Sequence, residues 1–247
     1  ANSALLNVDS GQALFMLAPV WQNDGRIVIN ETSGPFGTYV RFDSNTTLQG
    51  FGRLSLNANP NDYNSAYLTT NGTTPVNGAG HTIDGVGRIT GSWANQGTIV
   101  ANVSGYSLDL NCSIANAGMI RATNNAYTTL RGNITQEPFG QIVADNGTTY
   151  LYSQTYSGGS ISAINGGVTE VVGGYTPYLS DVSTVGPIKV PTSSALIFST
   201  IGGSHDGTIS VNDTTGPYTT YLRFDQSGTL SGNCTLQLNA TTVDYNT

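Results

Sequence analysis

From residue 95 to residue 167 apolar and polar positions alternate in short bursts, each opened by a glycine. The stretches "NQGTIVAN" at Asn95, "NAGMIRAT" at Asn116, "PFGQIVAD" at Pro138 and "SGGSISAI" at Ser157 share a glycine with an isoleucine two places on. Those glycines, Gly97, Gly118, Gly140 and Gly159, are spaced by 21, 22 and 19 residues. A second apolar burst lies between each pair: "YSLDL", "YTTLRG", "TYLYS" and "VTEVV". Alternation of period two predicts strands, so each unit reads strand, turn, strand, turn in about twenty residues, the period of a solenoid. One strand face then carries Ile99, Ile120, Ile142 and Ile161 as an inward column, with Ala101, Ala122, Ala144 and Ala163 beside it. Like residues stacked at about 4.8 Å pack without voids. Glycine, threonine, asparagine and β-branched residues, with no 3.6-residue period, exclude a helical solenoid.

The same grammar runs more loosely through "GRIVIN" at Gly25, "GRLSLN" at Gly52, "HTIDGVGRITG" at His81 and "GTISVN" at Gly207. It is least regular over residues 173–204, which hold Pro177, Pro187 and Pro191. A longer repeat contains it. "SGPFGTYVRFD" at Ser33 returns as "TGPYTTYLRFD" at Thr215, and "LSLNANPNDYN" at Leu54 as "LQLNATTVDYN" at Leu236, both offset by 182 positions. The chain divides accordingly into residues 1–182, a first long unit, and residues 183–247, the start of a second that continues the solenoid. The fold class expected is all-β, a right-handed parallel β-helix with coils of about twenty residues.

Several strands end in Asn30, Asn57, Asn102, Asn111, Asn212 or Asn239, with Asp145 in the same place. These residues tolerate the left-handed backbone, and stacked copies are expected to bond from coil to coil. Charged residues make up only 9% of the chain, and the net charge is −7 with eight Lys and Arg residues in all. That leaves no basic stripe for nucleic acid, and no apolar run is long enough to insert in a membrane. Ten Asn-X-Ser/Thr sequons, at Asn30, Asn45, Asn71, Asn102, Asn111, Asn133, Asn146, Asn212, Asn233 and Asn239, permit a glycosylated exterior. The two cysteines, Cys112 and Cys234, make no metal motif and are read as buried thiols acting as small hydrophobes.

Candidate chemistry is sparse. His81 and Asp84 in "HTIDG" are the best catalytic-looking pair, but a histidine at a coil edge is the better reading, and no catalytic or cofactor-binding residue is assigned. His205 in "SHDG" takes the place of Asn23 in "QNDG" and reads as a turn residue. Arg41 and Asp43, repeated as Arg223 and Asp225, share the outward strand face and form structural ion pairs. Calcium is compatible with fifteen acids, yet no calcium-loop motif is present. Tyrosines recur at strand starts (Tyr106, Tyr127, Tyr150) and imply aromatic stacking along a face.

The run "NQGTIVAN…YSLDL…NAGMIRAT", preceded by "HTIDGVGRITGSW", resembles the repeats of large bacterial cell-surface proteins of the autotransporter-passenger and filamentous-haemagglutinin type. The resemblance implies an extracellular structural or adhesive fibre and transfers no catalytic residue. Its partners would be neighbouring units or further copies, head to tail, with the 1–22 end meeting the 230–247 end, and surface glycans. The alternative is a polysaccharide-binding or polysaccharide-degrading β-helix, which would need several acids on adjacent coils of one face.

Overall fold

The computed structural model describes residues 1–200, 202–214, 218–227 and 229–240. Its strands pair in parallel, each with the strand one coil before and one coil after, to give a β-solenoid with three ladders. The first ladder stacks Leu5–Val8, Arg26–Ile29, Arg53–Asn57, the start of Thr82–Asn95, Thr98–Ala101, Met119–Thr123, Gln141–Asp145, Ser160–Ile164 and Ser183–Val185. The second includes Ala13–Met16, Thr38–Phe42, Ala66–Thr70, Tyr127–Leu130, Thr148–Leu151, Val168–Val171 and Ile188–Val190. The third is built of shorter strands such as Val20–Gln22, Thr47–Gln49, Ile134–Gln136, Thr155–Ser157 and Tyr178–Ser180.

The third ladder is a correction to the two-strand coil expected from the sequence. Most of its strands are three residues long, and several carry a single inward side chain, such as Leu48, Tyr156 or Leu179. Three residues are too few to show an alternation. Coil length also varies more than the sequence suggests. Thr82 stacks on Thr98 after 16 residues, whereas Arg53 stacks on Thr82 after 29. The short coil turns its corners inside one continuous strand, Thr82–Asn95, which serves all three ladders. Gly85 (φ +109°) and Gly91 (φ +92°) make those corners possible, since a Cβ at Gly85 would lie 2.0 Å from the Leu56 carbonyl oxygen. The long coils place their extra residues at corners, among them the short 3-10 turn Tyr63–Ser65, which Asp62 caps by accepting from the Asn64 backbone N–H.

The core follows the expected columns. Ile99 pairs in register with Ile120, Ile120 with Ile142 and Ile142 with Ile161, and none of the four is more than 1% exposed. The column extends downward through Ile83, Leu54 and Ile27. Ala101, Ala122, Ala144 and Ala163 form the parallel small-residue column, all buried. The irregular 173–204 stretch is also made of coils, with one register shift between Leu179 and Ser180. Cys112 is buried as expected, but Cys234 is exposed on a strand whose inward neighbours Leu236 and Leu238 are also exposed. Among the described residues no helix is long and apolar enough to cross a membrane.

Truncating Ile120 to alanine removes a fully buried side chain from a close-packed column, and is expected to cost about 2–5 kcal/mol. Val100→Ala, on the outward side of the same ladder, should cost less than about 1 kcal/mol. Urea unfolding midpoints of the two variants check this; equal midpoints would mean that Ile120 is not in the core.

Candidate functional site

Two arrangements of polar groups stand out, one inside the coil and one on its outer surface. The inner one follows the corner between the third and first ladders. Asn77 Nδ2 donates to Asn95 Oδ1 (2.7 Å), Asn95 Nδ2 to Asn116 Oδ1 (2.8 Å) and Asn116 Nδ2 to Gln136 Oε1 (3.4 Å). Each amide also donates to a backbone carbonyl of the next coil, Asn95 to Met119 and Asn116 to Gln141. All the donors point the same way along the axis. Asn2 and Asn23 form the same contact lower down (2.9 Å). The coil between Asn23 and Asn77 carries Gly50 and Gly52 at this corner, and His81 spans the gap. Its Nε2 lies 2.9 Å from Asn23 Nδ2 and its Nδ1 2.8 Å from Asn77 Oδ1. An acceptor at Nε2 and a donor at Nδ1 satisfy both contacts, so the imidazole is neutral.

His81 is therefore a rung of an internal ladder and not a coil-edge group. Burial lowers its pKa from 6.5 to about 4, with the Asp84 charge acting in the opposite sense. Asp84 instead lines an outer recess of about 350 Å³ with Leu5, Arg26 and Asn57, and pairs there with Arg53 (3.0 Å). His205, expected in a turn, is likewise fully buried, with Nδ1 2.8 Å from Thr184 Oγ1. The expected coil-to-coil bonding of strand-end asparagines is found at Asn30–Asn57 and Asn212–Asn239: Asn57 Nδ2 donates to the Asn30 carbonyl oxygen (3.0 Å) and Asn212 Nδ2 to that of Asn239 (2.8 Å). Asn30 (φ 63°) and Asn212 (φ 56°) adopt the left-handed conformation. The amide-to-amide ladder, however, uses the asparagines that precede each strand, in the Asn-x-Gly of "NQGTI" and "NAGMI", and that spacing was the available signal.

The outer arrangement runs along the second ladder. Tyr39 and Tyr67 stack at 5.0 Å and 21°, with Phe15 edge-on to Tyr39. Above them Asp109 accepts from both Arg88 (2.9 Å) and Arg131 (3.0 Å), tying three coils together. Arg131 lies 3.9 Å from the Tyr152 ring centroid, and Tyr127 and Tyr150 pack 5.6 Å apart; Tyr106 packs on the core. Arg41 and Asp43 form the expected pair, bidentate at 2.8 and 3.0 Å within one strand, and Arg223 and Asp225 repeat it at 2.6 and 3.2 Å. The Arg41 hydrogen bond holds the Asp43 carboxyl below its ordinary pKa. Among the described residues every basic side chain is engaged in such a pair except Arg26, whose Nε donates to Ser55 Oγ (3.1 Å).

Beside the free face of Tyr67 is a recess of about 430 Å³ lined by Gly37, Asp62, Asn64, Tyr67, Arg88 and Thr90. The sequence reading did not single out Asp62 or Asn64, although "DYN" recurs at residues 244–246. Those residues, with 215–217, lie outside the described part. Eight of the ten sequon asparagines reach solvent, while Asn30 and Asn212 are fully buried and have no room for a glycan in the folded chain. Among the described residues no three His, Cys, Asp or Glu side chains converge as a metal site. Comparison with known proteins finds no matching family model, no matching curated protein and no matching solved structure.

The buried His81 gives a pH dependence of definite sign. Its folded pKa lies below the unfolded value, so its contribution is complete above pH 6.5 and is lost as pH falls toward 4. The loss amounts to about 1.4 kcal/mol per pH unit and roughly 3 kcal/mol in total. His205, also lowered by burial, acts in the same direction. Unfolding midpoints measured from pH 7 to 4 should fall steeply in the wild type and less steeply in His81→Gln. Identical slopes would remove His81 from the ladder.

Proposed function

We propose that the chain is a segment of an extracellular structural or adhesive fibre, lengthened by adding 182-residue units. The observation that carries this reading is the unbroken stacking from the first unit into the second. Ser160 pairs with Ser183, Thr169 with Ile188 and Leu179 with Phe198, with no loop or cap between the units. A solenoid of this kind gains stability from each neighbouring coil and has no built-in length. Neighbouring units or further copies, stacked head to tail, are the partners this reading implies. The residue-pattern likeness to bacterial surface adhesins and the eight solvent-reaching sequons support an extracellular setting. The reading is non-enzymatic.

The recess beside Tyr67 favours a second reading, glycan binding. A tyrosine ring offers an apolar platform, and Asp62, Asn64, Arg88 and Thr90 supply hydrogen-bonding groups around it.

In the fibre reading, light scattering of the purified chain should show mass growing with concentration as end-to-end rods, visible by electron microscopy. A strictly monomeric species at millimolar concentration would contradict it. In the glycan reading, a panel of pectins, alginates and bacterial exopolysaccharides should yield binding that Tyr67→Ala abolishes, without release of reducing ends. Binding unaffected by Tyr67→Ala would clear the recess of that role. Turnover lost in Asp84→Asn would replace both readings with a depolymerase.

A further inference from the structure

The second copy of the long repeat folds as the first does, but on a different side of the solenoid. In the first unit Ala13 pairs with Tyr39, Leu14 with Val40, Phe15 with Arg41 and Met16 with Phe42. In the second, Ala195 pairs with Tyr221, Leu196 with Leu222, Ile197 with Arg223 and Phe198 with Phe224, each position 182 further on. The same holds for Ile27 with Leu54 against Ile209 with Leu236, and for Leu6 with Ile27 against Ile188 with Ile209. Internal register is thus preserved.

The stacking partners from the preceding coils are not. Leu6 and Val8 open the first ladder, yet their counterparts Ile188 and Val190 stack on Val168–Val171, which belongs to the second. Ala13–Met16 lies in the second ladder, and its counterpart Ala195–Thr200 stacks on Tyr178–Ser180, in the third. Asn2 and Asn23, a corner pair, recur as Thr184 and His205 above Ile161 on the first ladder. From Leu5 the first ladder takes eight steps to reach Ser183, and the counterpart strand begins one face later.

We infer that the 182-residue unit is a one-third-turn module: it spans eight coils and one face, and presents everything it carries on the next side of the rod. The core permits this because the ladders are chemically interchangeable inside, with aliphatic or aromatic residues inward on each. Phe198 settles on Leu179, and Ile188 on the buried Thr169. The Arg41–Asp43 pair with its flanking Tyr39 therefore faces one side, and Arg223–Asp225 with Tyr221 faces the adjacent side. At about 4.8 Å per coil the two are roughly 40 Å apart along the axis. Three such units return to the starting side after about 25 coils. A partner recognising this surface would be met from three directions in turn, not along a single stripe. That use of the rotation rests on the fibre reading above; the rotation itself does not.

Thiol cross-linking decides between the two stackings, in a Cys234→Ser background where the remaining Cys112 is buried. Adjacent parallel strands lie about 4.8 Å apart, within reach of a disulfide. The rotated stacking pairs Glu170 with Lys189 and Ser162 with Val185, all with outward, partly exposed side chains. Whole-turn stacking would place the Ile188–Val190 strand over Ser160–Ile164 and pair Ser162 with Lys189. Under mild copper-catalysed oxidation, Glu170→Cys/Lys189→Cys and Ser162→Cys/Val185→Cys should cross-link nearly completely, and Ser162→Cys/Lys189→Cys only at background. Circular dichroism of each reduced variant confirms that it is folded. The reverse pattern overturns the proposal, as does efficient cross-linking of all three pairs. If the expected pattern appears in a chain that never assembles, the rotation stands and the fibre reading falls.

Discussion

Parallel in-register stacking is the constraint on which the rest of this structure depends. Each strand sits about 4.8 Å above its predecessor, so a side chain's environment is set chiefly by the residue one coil below. An inward aliphatic residue extends a column at no cost, as in the series from Ile27 to Ile161. A polar residue at an inward corner is tolerated only if the next coil offers a matching partner, because an unpaired buried amide costs about 1–3 kcal/mol. The Asn77–Asn95–Asn116–Gln136 series meets that condition with every Nδ2 pointing the same way. Where glycine interrupts it, His81 restores continuity with a neutral ring. Chain that cannot be kept in register is sent to the corners, which explains the spread of coil lengths from 16 to 29 residues.

The outer surface obeys the same rule with different chemistry. Arg88, Asp109 and Arg131 occupy successive coils, and so do Tyr39 and Tyr67. Among the described residues seven of the eight cations are ion-paired, to six carboxylates, in a chain whose net charge is −7. Such a surface favours solubility along the rod's length. The rotation of each unit by one face spreads its surface features round the circumference.

Much of this was legible in the residues. The isoleucine and alanine columns follow from glycine spacing and period-two alternation, because a parallel stack turns sequence periodicity directly into contact. The Arg41–Asp43 pair was legible because both members lie on one strand face. The third ladder was not, since three-residue strands such as Thr155–Ser157 carry one inward side chain and no pattern. The buried role of His81 depended on which coil lacks an asparagine, and that of His205 on its stacking over Thr184, both facts of stacking and not of local sequence. Cys234 was read as a buried thiol because it belongs to no metal motif, and it is exposed on the last described strand. The rotation of the second unit was hidden because both copies look alike until their different neighbours are known.

Methyl contacts along the isoleucine column test the stack most directly. In a sample with labelled isoleucine δ1 methyl groups, nuclear Overhauser effects should link Ile83 to Ile99, Ile99 to Ile120, Ile120 to Ile142 and Ile142 to Ile161. Pairs two coils apart, such as Ile99 and Ile142, lie at about 9.6 Å and should show far weaker direct effects. Strong effects between Ile99 and Ile142, or none between Ile99 and Ile120, would contradict a parallel solenoid in this register.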